Sequence, residues 1–150
     1  MTRLLYDMAE ALGVRVEHAD LTHLERDGDY NARTNTIRLQ HGMSRRLHRS
    51  VLAHELAHAV FGDVPSKFGP VNAKQERRAD EWAALRLIDH HDYRIAEEHR
   101  DGNVQLLAQD LDVIDDIVKA YQRVLHRIGD VTYVGAKMGT GMWLQRVEVT

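Results

Sequence analysis

Apolar and polar positions follow two rhythms along the chain, and each predicts an element. Leu4, Leu5, Met8, Ala9 and Leu12 recur at helical spacing until Gly13, where Val14-Arg15-Val16 takes up the two-residue period of a strand. Neither segment gathers reactive groups, so both are expected to serve packing. After charged and turn residues from position 21, Asp29-Tyr30-Asn31-Ala32, the polar turn Arg33-Thr34-Asn35 and the alternating Thr36-Ile37-Arg38-Leu39-Gln40 predict a β-hairpin. Helical spacing returns with Leu47, Val51, Leu52, Leu56, Ala59 and Val60, between Ser44 as N-cap and Gly62 as stop. Residues 63 to 72 hold both prolines and predict a loop, with Phe68 expected to cover the core rather than line a pocket. A helix from about Ala73 to Asp89 follows, with positions 76, 80, 83, 84 and 87 on one face. Val104, Leu107, Ala108 and Leu111, then Ile114, Ile117, Val118, Tyr121, Val124 and Leu125, describe a helical pair over residues 103 to 128. The glycine-rich tail, 129 to 150, suits a loose hairpin or a mobile segment. The chain thus reads as α+β, with a small antiparallel sheet, in one domain over residues 1 to 128.

Composition narrows the function classes. At 150 residues and 43% hydrophobic, the chain is large enough to bury roughly two-thirds of its unfolded surface without covalent staples. The absence of cysteine excludes disulfides, thiol nucleophiles and thiolate metal ligands, and suits a reducing cytosol. No signal peptide or apolar span is visible, so a cytoplasmic protein without membrane contact is expected. A formal net charge of −3 creates no overall field for nucleic acid. The helical pair has the outline of a helix-turn-helix, but Asp115-Asp116 opens its second helix, where carboxylates repel phosphate. Lys119, Arg123, His126 and Arg127 come later, and core packing with a protein-binding surface is the favoured reading of that pair.

The chemistry concentrates in His54-Glu55-Leu56-Ala57-His58. Histidines four apart on a helix lie one turn above each other and can grip one metal ion, while the glutamate beside them can take a proton from an attacking water. Random placement would produce this H-E-x-x-H string about 4 times in a hundred in a chain so rich in histidine, so it requires structural support. A catalytic zinc site needs a third protein ligand, and Glu76 and Asp80 share one helix face downstream. One carboxylate can bind the metal while the other accepts a hydrogen bond from a ligand histidine. Asp89-His90-His91-Asp92-Tyr93 forms another polar cluster, but adjacent histidines point in different directions and exposed or structural roles are favoured. Tyr93, His90 and His91 are kept as candidates for stabilising an oxyanion. Thr36, Ile37, Arg38, Leu39 and Gln40, which feed into the motif helix, are the candidate edge strand for an extended peptide.

The order of helix, strand, hairpin, His54-Glu55-Leu56-Ala57-His58 and then Glu76-Arg77-Arg78-Ala79-Asp80-Glu81-Trp82-Ala83-Ala84-Leu85 resembles the ImmA/IrrE family of zinc metallopeptidases over about residues 1 to 128. The resemblance implies a compact zincin-like α+β domain binding Zn2+. It implies His54, His58 and Glu76 as ligands, Glu55 as catalytic base and Asp80 behind the ligands. It also implies a protein substrate, a helix-turn-helix repressor encoded nearby in a prophage, mobile element or stress-response locus, which is cleaved or inactivated. The sequence departs from the family after the second motif, where Arg86-Leu87-Ile88-Asp89-His90 replaces the usual Leu-Leu-Met-Pro. The alternatives are a regulatory module that binds a repressor or toxin partner without cutting, against which the retained Glu55 speaks, and a DNA-binding regulator.

Overall fold

The computed structural model describes residues 2–135, with side chains as far as residue 128. Helix α1 (Thr2–Ala11) leads into β1 (Arg15–Ala19), and a short 3-10 turn (Thr22–Leu24) precedes β2 (Gly28–Asn31) and β3 (Thr36–Gln40). Five helices follow: α2 (Arg45–Phe61), α3 (Gly69–Leu87), α4 (His90–Arg100), α5 (Val104–Leu111) and α6 (Asp115–Gly135). This is an α+β fold, in which a small sheet and α1 pack on α2 while α3 to α6 form the helical layer behind. Residues from α1, β3 and α2 to α6 share one hydrophobic cluster, which includes Leu5, Ile37, Leu39, Leu52, Leu56, Ala83, Tyr93, Leu107, Ile117 and Tyr121. Among the described residues, no helix is long and apolar enough to cross a membrane.

The sheet differs from the expected antiparallel one. Its order is β1-β3-β2, with β3 parallel to β1 and antiparallel to β2. The candidate edge strand is therefore the central strand: Thr36, Ile37, Arg38, Leu39 and Gln40 are paired on both sides and have no free edge for a peptide. Local turn chemistry reveals the β2–β3 hairpin, where Asn31 Oδ1 accepts from the backbone N–H of Arg33 and Thr34, but not the distant partner β1. Asn35 links the two levels. It turns the chain at a positive φ of 51°, accepts from the Tyr30 hydroxyl at 2.7 Å, and donates to the Gly13 carbonyl at 2.9 Å, tying the hairpin to the entry of β1.

Helix α2 begins and ends as its residues dictate. Ser44 Oγ accepts from Leu47 N–H, and Gly62 closes the helix at φ 65° with its N–H on the carbonyls of Ala59 and His58. Helix α3 starts four residues before its expected start because Pro70 is tolerated in a first turn, where no N–H partner is needed. It stops at Leu87, and Asp89 then caps α4 by accepting from Asp92 N–H at 3.1 Å. Phe68, expected to cover the core, is instead 62% exposed. The hairpin expected from Val131 and Tyr133 is replaced by the continuing α6, and residues 136 to 150 of the proposed tail lie outside the described residues.

Buried polar groups fasten the helical layer to α2. Arg49, 5% exposed, donates to the carbonyls of Leu111 and Asp112 at the end of α5, and Ser50 Oγ accepts from Ile114 N–H at 3.1 Å. On the sheet side the contact is steric: a Cβ placed on Gly28 would lie 2.6 Å from Val51 Cγ1 and 3.1 Å from the Arg38 carbonyl. Gly28→Ala should therefore destabilise the fold by about 1 to 3 kcal/mol through overpacking. Adding Val51→Ala to the same chain should recover part of that loss, as a double-mutant cycle by denaturant unfolding will show.

Candidate metal centre

Helix α2 presents His54, Glu55 and His58 toward the middle of α3, which presents Glu76 and Asp80. Small residues allow the approach, because Ala53 and Ala57 on α2 and Ala79 and Ala83 on α3 are fully buried between the helices and their neighbours. His54 Nε2 and His58 Nε2 lie 3.1 Å apart. The two Glu76 carboxylate oxygens sit 3.0 Å from them, one on each imidazole. Among the described residues this trio is the only group of three histidines or carboxylates whose ligand atoms all fall within 4.8 Å of one another.

The far side of each ring is also occupied. His54 Nδ1 meets Asp80 Oδ1 at 2.7 Å, and His58 Nδ1 meets Asp63 Oδ2 at 2.9 Å. Carboxylates accept only, so each imidazole donates its Nδ1–H, and in its neutral form it carries a lone pair on Nε2. Two such lone pairs 3.1 Å apart, faced by a carboxylate, repel unless positive charge lies among them. A divalent cation with two nitrogen ligands and one oxygen ligand fits that requirement, and a fourth position remains for solvent because the Glu76 side chain is 59% exposed.

Protonation equilibria express the same demand. Burial alone would lower the His54 pKa, but hydrogen bonds to Asp80 and Glu76, with the charge of Glu55, push it up to about 10. Burial likewise opposes a charge on His58, yet hydrogen bonds to Glu76 and Asp63 raise its pKa. Hydrogen bonds from both histidines hold Glu76 well below the usual carboxylate range. Glu55 goes the other way. It is 7% exposed, and burial raises its carboxyl despite the two histidines nearby, which makes it a stronger base than a solvated glutamate.

His54, Glu55, His58, Asp63 and Glu76 line a cleft of about 390 Å³ together with Arg26, Gly28, Asp29, Tyr30, Val64 and Gln75. One wall is the edge strand β2, and the other is the loop after Gly62, which is laced to α3 where Asn72 bonds the Ser66 N–H and carbonyl at 2.8 and 2.6 Å. A larger hollow of about 920 Å³ lies between the start of α2 and α4–α5. Its arginines are already committed, Arg45 to Asp112 and Arg100 to Asp110, and it contains none of the motif residues, so size does not mark the chemistry here.

The structure places the other candidates outside the cleft. Tyr93 is 2% exposed in the helical layer, where its hydroxyl donates to Glu97 and accepts from Gln122. His90 contacts the Tyr121 hydroxyl at 3.0 Å, and His91 is exposed at the start of α4. Glu76 lies near the middle of α3 while all three follow its end, which is about 16 Å further along the helix axis, and none of them lines the cleft. Asp63 is the residue that sequence reasoning missed. Its signal was present: an αL glycine four residues after the second histidine turns the chain back, and Asp63 N–H bonds the His58 carbonyl at 2.9 Å while its side chain meets that histidine's ring. Arg78 pairs with the second Asp63 oxygen and holds it in place.

The sequence matches the Peptidase_M78 family model, described as the IrrE N-terminal-like domain, over residues 9–120. The chain belongs to this peptidase family. No curated protein matches it at a significant level. The matched span includes every residue of the metal cluster, as well as Glu55, Asp63 and Asp80. Asp80→Asn and Asp63→Asn should each weaken binding of a divalent metal by about 10 to 100-fold, measured by competition with a chromophoric chelator. Glu76→Ala should cost more than either. Unchanged affinity in Glu76→Ala would remove it from the ligand set.

Proposed function

We propose that the protein is a zinc-dependent endopeptidase acting in the cytoplasm, and that its substrate is a helix-turn-helix repressor. The observation carrying this reading is the pair of Nε2 atoms held 3.1 Å apart with Glu76 3.0 Å from each, and the buried Glu55 lining the same cleft. Zinc bound there would supply the Lewis acidity that polarises a scissile carbonyl and acidifies an attacking water. His54, His58 and Glu76 hold the ion, while Asp80 and Asp63 fix the ring orientations and increase ligand basicity. Glu55 takes the proton of the attacking water and passes it to the leaving amide nitrogen, a task suited to a carboxylate whose pKa burial has raised.

The peptide is proposed to lie along β2 rather than β3. Strand β2 is an edge of the sheet, and its residues Gly28, Asp29 and Tyr30 already line the cleft. An extended segment can add there by backbone hydrogen bonding and bring its carbonyl toward the metal ligands. Exposed linkers of a repressor supply such segments, since local extension is easiest where few contacts hold the chain. Direct DNA binding is disfavoured. Ile117, Val118, Tyr121 and Val124 of α6 are buried, and its Arg123 and Arg127 both pair with Glu81 of α3.

Glu55→Gln should keep the fold and the metal but lower cleavage by about 10² to 10⁴-fold, because glutamine retains the shape and cannot accept the proton. Wild type and variant are incubated with the neighbouring repressor, and products are read by mass spectrometry. Cleavage by the wild type alone supports the peptidase. Equal relief of repression by both, without a cut, would favour the non-cleaving regulatory module instead.

A further inference from the structure

Three histidines outside the cleft come together from separate parts of the chain. His18 stands on β1, His41 directly follows β3, and His48 lies on α2. The His18 ring centre is 6.1 Å from that of His41 and 5.9 Å from that of His48. Two imidazoles bound to one tetrahedral ion have ring centres about 5 Å apart, given nitrogen-to-metal distances near 2 Å. The histidine pair of the cleft, whose ligand atoms already converge, stands at 4.7 Å. Each of the two pairs that share His18 is thus about 1 Å from ligating separation. His18 and His41 are exposed, so side-chain rotation alone can close that gap.

We propose that His18, His41 and His48 form a second transition-metal site that takes Zn2+ or Ni2+ through three imidazole nitrogens. Tyr6 of α1 supplies the support that such sites usually have, since its hydroxyl lies 2.9 Å from His48 Nε2. In the tautomer that ligates through Nδ1, His48 donates its Nε2–H to the Tyr6 oxygen, as the cleft histidines donate to Asp80 and Asp63. Burial and the nearby His18 both lower the His48 pKa, so its lone pair is free for a metal at neutral pH. Borderline dications suit this donor set, whereas Ca2+ and Mg2+ require oxygen ligands.

The site would brace the helix that carries the cleft. His48 is six residues before His54 on α2, about 9 Å along its axis, and an ion shared with β1 and the β3–α2 turn pins the first half of that helix to the sheet. The full chain, stripped of metal by chelation, is titrated with Zn2+ and separately with Ni2+ by calorimetry, with melting followed in parallel. Wild type should bind two equivalents. His18→Ala/His41→Ala should bind one, and His54→Ala/Glu76→Ala should keep one and melt higher when it is filled. The four-site combination should lose at least 10-fold in affinity at both positions. Both residues of the first variant are exposed, and its circular dichroism should match wild type. A single equivalent in wild type that His18→Ala/His41→Ala retains, or two in that variant, would overturn the second site. Loss of a site only in His18→Ala/His41→Ala, with none lost on changing His54 and Glu76, would instead overturn the cleft assignment.

Discussion

The structure depends on two imidazoles being held by carboxylates on their far sides while their near nitrogens face each other. That arrangement requires α2 and α3 to pack closely, and the buried alanines at positions 53, 57, 79 and 83 make it sterically accessible. Larger side chains there would separate the helices and move Glu76 and Asp80 away from His54. The cost of burying so many polar groups is offset because each has a partner: Asp80 for His54, and Asp63 for His58, with Arg78 completing the second chain. The Arg78 guanidinium also lies 4.1 Å from the centre of the Phe61 ring, so one side chain secures both Asp63 and the last turn of α2.

The remaining elements keep these two helices in place from opposite sides. The sheet presses on α2 through Gly28, where the absence of a side chain lets β2 approach Val51 and become a wall of the cleft. On the other side, Glu81 of α3 receives Arg123 and Arg127 from α6, and Tyr93 and Tyr121 pack with ring centres 4.9 Å apart between α4 and α6. Arg123 and Arg127 thus tie α3 to α6, while the two tyrosines join α4 to α6. Their place away from Glu76 follows from α3 itself, which carries Glu76 near its middle and leads into α4 beyond Leu87.

A wall built from an edge strand and a loop laced to α3 gives the cleft a rigid frame with a solvent-open mouth. Asn72 holds the loop through both hydrogen bonds to Ser66, and Gln75 reaches the Val64 carbonyl at 3.4 Å. Val64, 58% exposed, lines the cleft, so apolar surface meets solvent beside His54, His58 and Glu76. Such a frame suits an extended peptide better than a small enclosed substrate, consistent with membership of a peptidase family.

What the sequence determined by itself was whatever acts within a few residues. The four-residue spacing of His54 and His58, the same spacing of Glu76 and Asp80, the Ser44 cap and the Gly62 stop all follow from helix geometry, and the observed cluster uses every one. Only the tertiary structure decided contacts between distant segments. Thr36–Gln40 became a central strand because β1 pairs with it from 21 residues away, a partner that alternation within a strand cannot specify. His18, His41 and His48 were ordinary polar positions until β1, β3 and α2 converged. Asp63 lay between these extremes: its αL turn was legible, but its grip on His58 required the backbone to fold back over the helix end. Periodicity assigns each residue to a face, and packing alone decides what that face meets.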